Sequence, residues 1–224
     1  MTKSVFIAIP CGSSQIYWTT CHSLINLTAR LVEEGWDYSV AFLPGSSLVD
    51  QARNLLLKSF LDSKCDNLLW IDADVGFEVS DAMKLLESPE KIVGGVYPIK
   101  RMDEAYPIKL IEPLNRKGEM VEAYYLPGGF TRFKRSCIQD IIERYGEQTL
   151  CTYKMGGGEE LKVHHIYQCG VSDEGGYSGE DVSICNVLRT MGYRVWAFPD
   201  MTLTHTGTYT WTGNMAKHME AKDA

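Results

Sequence analysis

The chain has 224 residues, of which 45% are hydrophobic and 23% are charged, and its 22 basic and 29 acidic residues give a net charge of −7. This composition is typical of one large globular domain, and the lack of a basic run argues against a nucleic-acid partner. No stretch approaches ~20 consecutive apolar residues, which excludes a membrane-spanning helix of ordinary length.

Cysteine usage points to a reducing compartment. The seven cysteines are an odd number and are scattered along the chain, with no Cys-x-x-Cys pair. They are typical of reduced, mostly buried thiols rather than of a zinc site or a disulfide framework. The first predicted strand begins at Ser4, which leaves no room for a signal peptide. We therefore expect a cytoplasmic protein, in the host cytoplasm if the chain is viral. The sequence does not indicate its oligomeric state.

Strand and helix patterns alternate along the first half of the chain. Short apolar runs bounded by turn residues predict strands at 4–9, 38–43, 68–71 and 92–97. Apolar residues at helical spacing predict helices at 17–31, 49–60 and 80–87. Because strand–helix–strand units build parallel sheets, we expect an α/β fold with a mostly parallel central sheet flanked by helices.

The second half is less regular. Strands are predicted at 121–126, 130–133 and 193–198, and helices at 136–145 and 182–191. A smaller antiparallel hairpin is predicted from segments 150–155 and 161–167, joined by a glycine-rich loop at 156–160. A polar tail follows from Tyr209.

Two carboxylates follow the apolar strand at 68–71. Asp72 and Asp74 stand where that strand leaves the core, and ligands of open α/β sheets bind at this end of the strands. On an extended chain both side chains would point the same way, repel each other and need a cation such as Mg²⁺ or Mn²⁺. Alternatively, the pair only begins a turn or caps the next helix, although Ser80 and Asp81 give that helix a cap of its own.

Two other groups are candidates for the same chemistry. Glu180 and Asp181 open a predicted helix, and either acid could take a proton from an attacking hydroxyl. Alternatively, Ser178 and Asp181 form a capping box. His205 follows the last predicted strand and beside two carboxylates would favour Mn²⁺ over Mg²⁺, although a lone histidine is more often structural.

A nucleotide has a natural place in the loop that begins Pro10-Cys11-Gly12, between the first strand and helix. This loop is neither a Walker A loop nor a dinucleotide fingerprint. Arg53 on the second helix either stays on the surface or reaches the phosphates of a bound nucleotide.

The motifs occur in a characteristic order: Pro10-Cys11-Gly12, Ala52-Arg53-Asn54, Asp72-Ala73-Asp74, Gly94-Gly95, Gly128-Gly129-Phe130, Gly179-Glu180-Asp181 and His205. In this order the chain resembles nucleotide-sugar-dependent glycosyltransferases of the GT-A fold, in particular compact viral and bacterial members. The resemblance implies one GT-A-like (Rossmann-like) domain at 1–208. Residues 1–100 would bind the nucleotide sugar, residues 101–208 would bind the acceptor, and 209–224 would be a tail.

The resemblance also implies roles for individual residues. Asp72 and Asp74 would hold Mn²⁺ or Mg²⁺ on the diphosphate of the donor, and His205 would complete the coordination. Asp181, with Glu180 as its competitor, resembles the acid that activates the acceptor in inverting members. The implied nucleotide contacts are Ile9, Pro10, Cys11, Arg53, Asp72, Ala73 and Asp74.

The expected function is transfer of a sugar from a UDP-linked donor to a hydroxyl acceptor that the sequence does not identify, with inversion. One alternative is a nucleotidyltransferase that makes sugar nucleotides, although the loop at 10–14 lacks the Lys or Arg that such enzymes carry. Another is a non-catalytic carbohydrate-binding or virion module with the same fold.

Overall fold

The computed structural model describes residues 3–154, 158–171 and 175–223. In the first half the strands are β1 (Ser4–Cys11), β2 (Asp37–Pro44), β3 (Asn67–Ile71), β4 (Val75–Gly76) and β5 (Ile92–Gly95). The helices there are α1 (Trp18–Glu33), α2 (Val49–Asp62) and α3 (Val79–Glu87). This confirms the predicted alternation of strands and helices.

The second half contains shorter elements. Its helices are α4 (Arg135–Thr149), α5 (Glu180–Thr190) and α6 (Met215–Asp223). Its strands are β6 (Lys109–Leu110), β7 (Arg116–Lys117), β8 (Met120–Tyr125), β9 (Phe130–Lys134), β10 (Leu150–Lys154), β11 (Glu160–His164), β12 (Gly170–Val171), β13 (Tyr177–Ser178), β14 (Val195–Phe198), β15 (Thr202–Thr206) and β16 (Thr210–Asn214).

Nine strands form the central sheet of the described residues, in the order β2-β1-β3-β9-β5-β14-β8-β6, with β7 also paired to β8. Strands β2, β1, β3, β5 and β14 run in one direction, whereas β9 and β8 run antiparallel to their neighbours. The predicted α/β sheet is therefore confirmed, and β9 enters it between β3 and β5.

Helices cover both faces of this sheet. Leu24, Leu27 and Leu31 of α1 pack on one face together with α3, and α2, α4 and α5 pack on the other. Every residue of β3 is buried, because alternate side chains of a strand covered on both faces enter the two cores in turn. The continuous apolar sequence of β3 follows from this position.

Small antiparallel sheets lie outside the central one. The hairpin β10–β11 forms as predicted, although residues 155–157 of its loop lie outside the described residues. A three-stranded sheet, β16-β15-β4, contains most of the residues between Thr202 and Asn214. The residues predicted as a polar tail thus form β16 and α6, because pairing with β15 supplies the partner that the local sequence does not reveal.

Two predicted helix caps do not form. Helix α3 begins after Glu78, so that Ser80 and Asp81 lie within its first turn, and α5 begins after Gly179 rather than at a Ser178 cap. Neither helix has a side-chain capping hydrogen bond. No helix in the described part of the chain has both the length and the apolar character required to cross a bilayer.

Candidate active site

A cavity of about 310 Å³ opens at the carboxyl ends of β1 and β3. This is the edge at which open α/β sheets bind ligands. The residues that line it come from the loop after β1, the loop before α2, the start of α2 and the turn after β3: Pro10, Gly12, Ser13, Gln15, Tyr17, Ser46, Ser47, Val49, Ala52, Asp72, Ala73 and Asp74.

The two carboxylates lie in a turn at residues 72–75, which we call the acid turn, rather than on an extended strand. Strand β3 ends at Ile71, and the backbone N–H of Val75 donates to the carbonyl of Asp72 over 3.1 Å, which closes the turn. The carbonyl of Ala73 in turn accepts a hydrogen bond from Tyr17 N–H at 2.8 Å. Both aspartates line the one cavity, but they reach it from a turn and not as alternate residues of an extended strand, and each has different partners.

Arg53 is the partner of Asp72. Its Nη2 donates to Asp72 Oδ1 over 3.0 Å, and its Nε donates to Glu180 Oε1 over 2.9 Å. The guanidinium is 2% exposed and also lies 5.1 Å from the ring centre of Trp70. Arg53 is therefore not a surface cation. Through these two hydrogen bonds it links α2, on which it lies, to Asp72 after β3 and to Glu180 on α5.

Burial dominates the electrostatics of Asp72. It raises the pKa of Asp72, Arg53 opposes that shift, and the charge of Asp74 adds to it, so that the pKa lies above its ordinary value. The carboxylates of Asp72 and Glu180 together raise the pKa of Arg53. The guanidinium consequently stays charged and holds the two acids in place.

Asp74 has partners on the other side of the turn. Lys100 Nζ lies 2.6 Å from Asp74 Oδ2, and His205 Nε2 lies 3.6 Å from the same oxygen. Burial raises the pKa of Asp74, but the contacts with His205 and Lys100 outweigh it and hold the pKa below its ordinary value. Asp74 is therefore ionised at neutral pH.

The small sheet explains how His205 reaches this position. His205 pairs with Val75 in the β15–β4 ladder, and Thr206 N–H donates to the carbonyl of Asp74 over 2.8 Å. The residue directly after the acid turn is thus hydrogen-bonded to the strand that carries the histidine. The sequence separation of the two groups is large, and only the pairing of β4 with β15 brings them together.

The chemistry of this donor set fits a divalent cation. His205 Nδ1 lies 2.9 Å from the carbonyl oxygen of Pro98, which can only accept, so Nδ1 carries the proton. In the neutral ring Nε2 then presents a lone pair towards Asp74, as in metal-ligating histidines oriented by a backbone carbonyl. The 3.6 Å separation is too long for a hydrogen bond and suits two ligands of one ion. Among the described residues, no group of three or more His, Cys, Asp or Glu side chains is arranged to hold a metal.

Asp181 stands at the start of α5 and is not among the residues that line the cavity. Its carboxylate accepts a hydrogen bond from Val182 N–H at 2.8 Å and another from the backbone of Gly128. Burial raises its pKa, and the neighbouring charge of Glu180 raises it further, beyond what these hydrogen bonds offset. Glu180 is buried and bound to Arg53, whereas Asp181 is free of any salt bridge among the described residues.

No protein-family model matches this chain, and no curated protein matches it. A197 from STIV is 20% identical, with a TM-score of 0.52, over 92% of this chain and 86% of that one. GalNAc-T7, solved with UDP, GalNAc and Mn²⁺, is 14% identical, with a TM-score of 0.51, over 92% of this chain and 44% of its own.

The chain has a GT-A-like fold. At these identities the likeness establishes the fold alone and leaves activity to be argued from the side chains.

Within this GT-A-like fold, Gly128 and Gly129, which directly precede β9, lie against the acid turn and Arg53. Gly129 accepts a hydrogen bond from Asp72 N–H at 2.9 Å and donates to the Tyr97 hydroxyl over 3.1 Å. A Cβ on Gly129 would lie 2.7 Å from that hydroxyl and would also collide with the Asp72 carboxylate, and a Cβ on Gly128 would lie 2.6 Å from Arg53 Nη2. The glycines are therefore required by close approach rather than by a plain turn.

The predicted nucleotide contacts fall into two groups. Pro10, Asp72, Ala73 and Asp74 line the cavity. The side chains of Ile9 and Cys11 are buried in the core, and Arg53 lies in the buried carboxylate cluster.

Two residues of the candidate active site, Lys100 and Tyr97, were not predicted from the sequence. Lys100 binds Asp74, and the Tyr97 ring packs at 4.8 Å from the ring of His205. Both follow β5, whose carboxyl end meets the same sheet edge, and that position is the signal that could have identified them.

Proposed function

We propose that this protein is a metal-dependent glycosyltransferase that moves a sugar from a UDP-linked donor to a hydroxyl acceptor. The observation that carries the proposal is the arrangement at the edge of a GT-A-like sheet, where an ionised Asp74 lies 3.6 Å from His205 Nε2 beside an open cavity. Carboxylate and imidazole ligands suit Mn²⁺, which typically joins protein ligands to phosphates.

Asp74 and His205 are the residues that would hold the cation, with Asp72 close to it. The bound ion would neutralise negative charge that develops on the departing nucleoside diphosphate. The chain itself supplies the cavity for the nucleotide, in which Pro10 offers an apolar surface to its base and the serines of the two loops offer hydroxyl groups to its ribose. Arg53 holds Asp72 and Glu180 in position through Nη2 and Nε.

Asp181 is the proposed general base. Its raised pKa increases its basicity, and Glu180 is already engaged by Arg53. A carboxylate that takes the proton of the acceptor hydroxyl supports direct displacement, and hence inversion at the anomeric carbon. All seven cysteines are free thiols, which supports a reducing compartment such as the cytoplasm as the location of the protein.

The alternative functions have less support. A nucleotidyltransferase needs cations for the triphosphate, and no Lys or Arg is among the residues that line the described cavity. A non-catalytic module would not require an acid with a raised pKa at the start of α5, in the electrostatic environment of Arg53 and Glu180.

Calorimetry with UDP tests the proposal. We expect UDP to bind wild-type protein with Mn²⁺ and at least about tenfold more weakly in excess chelator, a change of about 1.4 kcal/mol. Asp74→Asn should lose the Mn²⁺ dependence, whereas Asp62→Asn, which changes an exposed carboxylate of α2, should retain it. Equal UDP affinity with and without chelator would remove the metal from the proposal, and no binding of any nucleoside diphosphate would remove the donor.

A further inference from the structure

The hairpin β15–β16 carries two aromatic rings in contact, of which Tyr209 is exposed and Trp211 is half-buried. Tyr209 lies in its turn and is 60% exposed, and Trp211 lies in β16. Their ring centres are 5.1 Å apart with an interplanar angle of 73°. An edge-to-face contact of this kind fixes the two rings relative to each other while the outer face of Tyr209 stays in water.

The ring pair lies next to the metal-binding end of the candidate site. Trp211 is directly opposite His205 in the β15–β16 ladder, so both side chains are on the same face of the small sheet. A Cβ placed on Gly207 would lie 3.5 Å from the Trp211 ring and 3.5 Å from the aliphatic stem of Lys100. Lys100 in turn binds Asp74. The rings are thus connected to the acid turn through one shared layer of side chains.

The chemistry of this surface matches a sugar ring. The faces of a pyranose present C–H groups that pack on aromatic rings, and its hydroxyls need hydrogen-bond donors and acceptors around the edge. Trp211 Nε1 is a buried donor that has no hydrogen-bond partner among the described residues, so the ring face of Tyr209 is the part of the pair that a ligand contacts directly. Thr208 and Thr210 flank Tyr209 with two hydroxyls. Packing alone does not require Tyr209 to be where it is, since most of its ring contacts solvent.

We propose that Tyr209 and Trp211 form a pyranose-binding subsite next to the Asp74–His205 end of the cleft. The proposal rests on the proposed glycosyltransferase function for its biological meaning, but the binding of a sugar ring can be measured without transfer. The ring can belong to the acceptor or to the sugar of the donor, since both carry the same chemistry and both must meet near the diphosphate.

Nuclear magnetic resonance of the full chain tests the subsite. Each of the five tryptophans gives one indole N–H signal, and Trp211→Phe identifies the signal of Trp211 by its loss. Methyl pyranosides of glucose, galactose and N-acetylglucosamine are titrated in the absence of nucleotide and metal. We expect one or more of them to shift the Trp211 signal and to leave the signal of the buried Trp196 unchanged.

Matched variants give the second measurement. Tyr209→Ala should weaken pyranoside binding by roughly tenfold, as loss of an aromatic contact of about 1.4 kcal/mol predicts. Tyr38→Ala changes a tyrosine that is 40% exposed on the edge strand β2 and should leave binding unchanged. Failure of every pyranoside to shift Trp211, or equal weakening by both variants, would overturn the subsite.

Binding of UDP and of UDP-sugars to the wild-type protein and to Tyr209→Ala identifies whether the pyranose belongs to the donor or to the acceptor. The same measurements separate the subsite proposal from the proposed transferase function. If Tyr209→Ala weakens UDP-sugar binding but not UDP binding, the subsite holds the donor sugar. If it weakens only methyl pyranosides, the subsite holds the acceptor. If pyranosides shift Trp211 but no sugar nucleotide binds the wild-type protein, the subsite stands and the proposed transferase function fails.

Discussion

Removing the charge of Arg53 should destabilise the protein far more than removing any surface charge. In Arg53→Met, two carboxylates of low exposure, Asp72 and Glu180, lose the cation that binds them both, and Trp70 loses a cation–π contact at 5.1 Å. Breaking a buried ion pair by removing one partner costs about 3–5 kcal/mol. For a chain of this length, that corresponds to a fall of roughly 6–20 °C in Tm.

The cost should also depend on pH. The pKa of Asp72 already lies above its ordinary value, and the variant removes the guanidinium that opposes this shift. A carboxylate whose folded-state pKa is raised binds its proton more tightly in the folded protein, so it favours folding at low pH and loses that contribution as pH rises. The stability deficit of Arg53→Met should therefore be smaller at about pH 5 than at about pH 8.

Urea denaturation at both pH values measures the two effects. Lys58→Met is the matched control, because Lys58 lies on the same helix, is 30% exposed and pairs only with Asp62 one turn away. Such exposed pairs contribute about 0.3–0.5 kcal/mol. A deficit in Arg53→Met that equals the control, or that does not change with pH, would refute the view that Arg53 supports the acid cluster electrostatically.

Three further changes test the site and its surroundings. Gly129→Ala should cost about 1–3 kcal/mol and weaken UDP binding, since its Cβ collides with the Asp72 carboxylate. Gly170→Ala, with nothing within 4 Å of its Cβ, is the control, and equal urea midpoints for the two variants would contradict this. Asp181→Asn should keep UDP affinity and lower the rate of sugar transfer by about 10²–10⁴-fold, and transfer at the wild-type rate by this variant would place the base elsewhere. In the wild-type protein the transfer rate should fall as the pH drops through the raised pKa of Asp181. Burial raises the pKa of Asp81 to about 6, so Asp81→Asn should stabilise the protein at about pH 8 and much less at about pH 4.5, and a gain that is constant with pH would exclude that cause.

The parts of the fold that sequence could predict are those whose pattern is local. The apolar run of β3 and the helical stripes of α1 and α2 show in the sequence which faces are buried, and both confirm the α/β prediction. The position of Asp72 and Asp74 at a strand end followed directly from the end of that apolar run. Their turn conformation did not, because it depends on hydrogen bonds from Tyr17 and Val75.

The parts that sequence could not predict depend on pairing between distant segments. Strand β16 has a polar sequence and exists because β15 provides its ladder, and that ladder sets Trp211 opposite His205. Lys100 lies in an irregular segment with no pattern of its own. Ser178 and Asp181 have the spacing of a capping box, but Asp181 turns to the backbone of Val182 and Gly128 instead.

The reason for placing a cation at this site changes once the partners of the acids are known. Sequence alone suggests that two adjacent carboxylates repel each other and need a metal, yet Arg53 binds Asp72 and Lys100 binds Asp74, so the chain itself already offsets both charges. Repulsion therefore gives no argument for a metal. The argument comes from His205, whose proton is held on Nδ1 by Pro98 and whose Nε2 faces the oxygen that Lys100 contacts. A cation held by Asp74 and His205 would compete with the ammonium group of Lys100 for the charge of Asp74, so the binding of one would weaken the contact of the other.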